Sequence, residues 1–242
     1  MKFGGAVIGL VPILFAALLI GACGGSASLA SASPAPTGAA AQAGSTPSAT
    51  AAATASTSSV ATSTWTIGSA SKAVVSVREQ LVGVSLPSDA VLTATGGAGT
   101  FGLKADGTFS ADSKITFDLT TLSSDSRNRD DYVKQDTLNT RQFPKADFVP
   151  TKTSGLTLPL ASTGTFTFTL TGNLTIHGKT KEVNFNVVAR RNGAELTATA
   201  TLAPTVKFGD FGMSAPSVPF RVVSVVDEIR IVVDLTATGA AT

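Results

Sequence analysis

The chain is 242 residues long, with a formal net charge of +2, one cysteine and one histidine. Apart from Lys2, every charged residue lies at Lys72 or beyond, where 17 basic side chains stand against 16 acidic ones. Such a balance gives no electrostatic support to a nucleic-acid partner, and the lone cysteine excludes an intramolecular disulfide, so a hydrophobic core must stabilise the fold.

Residues 1–22 read as a signal peptide: a positive start at Lys2, an apolar stretch over residues 6–20, then the small residues Gly21 and Ala22 before Cys23. A membrane-spanning helix is the competing reading, but the apolar run is shorter than the roughly 20 residues a bilayer needs and contains Pro12. Ile20-Gly21-Ala22-Cys23 resembles the lipobox of bacterial lipoproteins, which implies lipid attachment at Cys23. Acyl chains contribute roughly 0.8 kcal/mol per buried CH₂, so several of them would hold the protein to a membrane surface in the cell envelope. Residues 24–62 are almost entirely Ala, Ser, Thr, Gly and Pro, and none is charged or aromatic. A segment that cannot bury a core is expected to be a disordered linker, so residues 23–62 form a lipidated N-terminus and tether.

The folded domain is expected at residues 63–242, where strict alternation repeats in segment after segment. Ile115, Phe117 and Leu119 alternate with polar neighbours, as do Phe166, Phe168 and Leu170. Val183, Phe185 and Val187 follow the same period, then Leu196 to Leu202, then Ile229, Ile231, Val233 and Leu235. Weaker strands are expected near residues 74–78, 90–95, 99–104 and 147–152. About eight strands, each wet on one face, must close around a shared interior as a sandwich or barrel. Between them, residues 126–138 read as a short helix lying over one end, capped at Asp125 or Ser126.

Catalytic chemistry finds little material here. His177 sits in a turn marked by Gly178, no spacing proposes a metal site, and no Gly-x-Ser-x-Gly elbow is present. We therefore expect neither metal nor cofactor and no enzyme activity. The cluster Arg127, Arg129, Asp130 and Asp131 reads as a solvated helix face or local ion pairs. Phe208-Gly209-Asp210-Phe211-Gly212-Met213 reads either as ordinary packing or as the mouth of an apolar pocket.

Several stretches together resemble the YceI family of bacterial polyisoprenoid-binding proteins. They are Arg129-Asp130, Phe143-Pro144-Lys145-Ala146-Asp147-Phe148, Leu174-Thr175-Ile176-His177-Gly178-Lys179-Thr180-Lys181, and Phe208 with Phe211-Gly212-Met213. The resemblance implies an all-β fold, an eight-stranded antiparallel lipocalin-like barrel with one short helix, and an isoprenoid-like lipid inside it. Two departures stand out. Gly68-Ser69-Ala70-Ser71-Lys72 replaces the family's Asp-x-x-His-Ser, and Tyr132 stands where a histidine usually follows Arg-Asp.

The expected lining is Phe117, Leu119, Phe166, Phe168, Leu170, Phe185, Val187, Leu196, Ile229 and Ile231, with Tyr132, Phe208, Phe211 and Met213 at an opening. An inward apolar residue can equally fill a core, so two functions stay open. One is a membrane-tethered, extracytoplasmic lipid carrier; the other is a surface interaction or stress-protection lipoprotein with a solid barrel.

Overall fold

The computed structural model describes residues 62–239. The expected signal peptide and Cys23 lie outside them, as does the linker up to residue 61. Ten antiparallel strands run in the order β1 (Thr62–Ile67), β2 (Lys72–Leu81), β3 (Ser88–Thr95), β4 (Ala98–Lys104), β5 (Lys114–Asp118), β6 (Lys145–Ser154), β7 (Thr163–Ile176), β8 (Lys179–Asn192), β9 (Glu195–Leu202) and β10 (Val222–Gly239). Eight of them form a closed ring, β1-β4-β5-β6-β7-β8-β9-β10, because β10 pairs back onto β1 through Trp65 opposite Gly239 and Ile67 opposite Ala237. Closure leaves no unpaired edge in the ring.

The other two strands extend that ring. β1 and β2 are a single meandering strand broken at residues 68–71, and β3 and β4 are a second one broken at Gly96 and Gly97. β1 pairs with β4 and β2 with β3, so the two broken strands run side by side along the barrel. β10 is long enough, at 18 residues, to pair with β1 at its end and with β2 from Val222 to Asp234. Ser71, fully buried, pins the break: its hydroxyl accepts from the Thr236 N–H at 3.0 Å. Ser71 thus braces the barrel across the break.

The β7–β8 hairpin shows why the alternation works. His177 and Gly178 both have positive φ, 50° and 70°, the left-handed pair a two-residue hairpin turn requires. That turn sets the register, so Leu170 faces Phe185, Phe168 faces Val187 and Phe166 faces Ala189. Along β8, Val183, Phe185, Val187 and Ala189 are buried while the residues between them are exposed. Residues 126–138 do form a helical segment. It begins as α1 (Arg127–Tyr132) and widens into a π-type turn over Val133–Thr137, where the Leu138 N–H reaches the Val133 carbonyl at 2.9 Å.

Candidate ligand chambers

The barrel is hollow at one end. A cavity of about 740 Å³ lies between β2, β3 and the first half of β10 on one side, and the helical segment and residues 213–222 on the other. Val75, Val77 and Leu81 on β2, Leu92 on β3, and Val225, Ile229 and Ile231 on β10 supply apolar walls. Leu119, Leu122, Val133 and Leu138 close it from beneath the helix, and Phe208 and Met213 from the loop beyond β9. The volume falls inside the range of about 300–1,000 Å³ that small-molecule sites occupy.

One ion pair interrupts this apolar wall. Arg129 on α1 donates to Glu79 on β2 at 2.7 Å, and the Glu79 side chain is only 8% exposed. Burial disfavours the charged guanidinium, but attraction to Glu79 and hydrogen bonds to Asp125 and Glu79 outweigh it, leaving the Arg129 pKa above its ordinary value. Glu79 continues the inward phase of Val75 and Val77, and a carboxylate in that phase needs a partner. From the sequence Arg129 reads as part of a solvated helix face or a local ion pair, and Glu79 is not singled out. A carboxylate at an inward strand position was the available signal.

A second cavity, about 90 Å³, lies toward the other end of the barrel, lined by Trp65, Phe101, Ile115, Phe166, Phe168, Leu170, Val187, Leu196 and Leu235 among others. Strand after strand places a residue between the two. On β5, Ile115 lines the smaller cavity, and Leu119 just past the strand lines the larger, with Phe117 between them. On β10 the same order is Leu235, Val233 and Ile231. Phe148 packs edge-on against Phe185, ring centroids 5.3 Å apart, and both are buried without lining either cavity. Phe117, Phe148 and Phe185 thus form an aromatic layer between the two cavities, in which Phe148 and Phe185 meet over β7. Gly172 makes room for it, since a Cβ there would lie 2.4 Å from the Phe148 ring.

The expected lining residues divide accordingly. Leu119, Tyr132, Phe208, Met213, Ile229 and Ile231 face the larger chamber. Phe166, Phe168, Leu170, Val187 and Leu196 face the smaller. Phe117 and Phe185 are buried between the two and line neither. Phe211, expected at an opening, is fully buried, because its loop is folded inward and tied down. His177 Nδ1 lies 3.3 Å from the Phe211 carbonyl, and Lys181 pairs with Asp210 at 2.6 Å. The hydrogen bond from Lys181 holds the Asp210 carboxyl below the usual carboxylate range. Phe143 in turn stacks edge-on upon His177 at 4.7 Å. Three of the separated sequence motifs are thus one contiguous cluster that seats Phe208 and Met213 on the chamber wall. The actual rim is built by Val82, Val84, Val218, Phe220 and Arg221, in segments without periodicity.

Fold and chambers define a closed antiparallel β-barrel with an apolar interior open at one end. The YceI-like domain model matches residues 65–237, and the chain belongs to that family. Among curated relatives, a UPF0312 protein of Pseudomonas putida is 36% identical over 128 residues, covering 46% of this chain and 61% of its own length. A UPF0312 protein of Pseudomonas fluorescens is 36% identical over 124 residues, with the same coverage. The match thus spans less than two thirds of these relatives. Among solved structures, a polyisoprenoid binding domain from Saccharophagus degradans, implicated in plant cell wall breakdown, superposes with a TM-score of 0.54 at 12% identity, covering 72% of this chain and 97% of that domain. BcnA of Burkholderia cenocepacia gives 0.50 at 21% identity, covering 69% and 96%.

Proposed function

We propose that this chain is an exported carrier or sequestering protein for an isoprenoid-like lipid, held to a membrane by acyl chains on Cys23, and that it is a binding protein rather than an enzyme. The observation that carries the reading is the larger chamber, whose roughly 740 Å³ has mainly apolar walls with the Arg129–Glu79 ion pair set among them. Burying a lipid tail there gains about 25 cal/mol per Å² of apolar surface. Arg129 offers donors, and Glu79 an acceptor, to a polar head, while the tail points toward Phe117, Phe148 and Phe185. The polyisoprenoid binding domain with the same fold supports the ligand class. A packed barrel acting only through its loops would leave no such space. The test is to recover the protein from its native membrane and identify the co-purifying molecule by mass spectrometry. A stoichiometric prenyl lipid is expected; a protein carrying no apolar molecule would contradict the reading.

A further inference from the structure

Apolar exposure on this barrel is concentrated in one place. Eight large apolar side chains are exposed among the described residues, and six of them, Val82, Val84, Leu86, Phe220, Val223 and Val226, belong to two adjoining segments. These segments are joined directly: the Val82 N–H donates to the Arg221 carbonyl at 2.9 Å, and Val222 pairs with Leu81. Phe220 is 95% exposed and is held outward by a tight turn, in which the N–H groups of Arg221 and Val222 both reach the Val218 carbonyl. Its φ of +64° is a left-handed conformation that an aromatic residue adopts only when the surrounding turn imposes it. An outward phenylalanine in that state is a built feature of the rim.

We propose that this rim docks on a lipid bilayer, with Leu86, Phe220 and Val223 entering the acyl boundary so that an apolar ligand passes into the chamber without crossing water. The inference rests on the carrier reading above. Val82, Val84 and Phe220 both line the larger chamber and face solvent, so the patch is the lip of the chamber itself. A protein partner seated there would stop the opening, whereas a bilayer is a source of ligand. The neighbouring carboxylates are already engaged. Asp89 pairs with Arg78 and Arg230, Asp227 accepts from the Phe208 N–H, and Glu228 accepts from Thr205. Arg221, on the rim, makes no ion pair among the described residues and is free to meet lipid phosphate.

The experiment uses the full chain with Cys23→Ser, which frees it of competing thiols, and an environment-sensitive fluorophore on Leu86→Cys or, as control, on Val188→Cys on an outer barrel wall. Phosphatidylcholine vesicles brominated on their acyl chains are the quencher. Quenching at position 86 but not at 188 is expected. No quenching at 86, or equal quenching at both, overturns docking; so does a doubled mass with position 86 shielded before lipid is added, which would assign the patch to a second copy. In parallel, Leu86→Ser/Val223→Ser should bind farnesol from water within twofold of wild type, yet take a fluorescent polyprenol from vesicles at least tenfold more slowly. Unchanged uptake overturns docking alone. Failure of the wild type to bind farnesol overturns the carrier reading and leaves the quenching result to judge the docking.

Discussion

The Phe148 ring meets the Phe185 ring at 82°, with centroids 5.3 Å apart, over the intervening β7 and between the two chambers. Edge-to-face pairs of this kind contribute about 0.5–1.5 kcal/mol beyond the area they bury.

The layer depends on a glycine. At Gly172 an added Cβ would lie 2.4 Å from the Phe148 ring and 2.6 Å from the Val149 carbonyl oxygen. Gly172→Ala should therefore destabilise the domain by about 1–3 kcal/mol, the usual penalty for overpacking. Adding Phe148→Leu should recover only part of it, since the backbone contact stays. Urea denaturation midpoints check this; an unchanged midpoint for Gly172→Ala would show that the layer yields easily.

The Arg129–Glu79 pair makes a second prediction. Arg129→Met leaves Glu79 buried without its counter-charge and should cost about 3 kcal/mol, at the low end for a broken buried pair. Glu79→Leu/Arg129→Met removes both charges and should lie closer to wild type than the single variant does. A double variant destabilised by the sum of the costs of Glu79→Leu and Arg129→Met alone would mean that the two residues are not coupled.

What could be read from the sequence, and what could not, follows physical lines. Strict alternation on β7, β8 and β9 predicts their inward faces, because a half-buried strand repeats every two residues. The break between β3 and β4 was legible, since the strands expected near 90–95 and 99–104 leave it at Gly96 and Gly97. The break between β1 and β2 was not, being a few residues long and set by contacts such as Ser71 with Thr236, 165 positions away. Inward phase was legible for Phe117 and Phe185, but whether they line a cavity depends on distances across the barrel. The rim was missed altogether, as residues 82–86 and 216–222 follow no period.

Acid stability should depend on Asp147. It accepts from Thr116 at 2.7 Å and pairs with Lys114 at 2.8 Å. Burial raises its pKa, but these bonds and the nearby lysines more than offset that, so the folded carboxyl sits below its ordinary value. The charged form favours folding, so this stability is fully present above the unfolded pKa of about 4 and is lost as pH falls through the lower folded value. Asp147→Asn should cost about 1 kcal/mol at pH 7 and flatten the acid limb of the stability profile. Parallel profiles for variant and wild type would contradict this.

Membrane retention should require Cys23. Cys23→Ala is expected to abolish incorporation of labelled fatty acid and to release the protein from the membrane fraction, with the melting of the domain unchanged. Equal retention of the variant would contradict the tether.

The central claim, that the larger chamber holds an apolar chain, is tested most directly by calorimetric titration with a series of polyprenols of increasing length. Tail burial predicts saturable binding at one site and a negative heat-capacity change. Affinity should rise with each added isoprene unit until the roughly 740 Å³ chamber is filled up to the Phe148 layer. Affinity independent of chain length, or no saturable binding by any member of the series, would contradict the account.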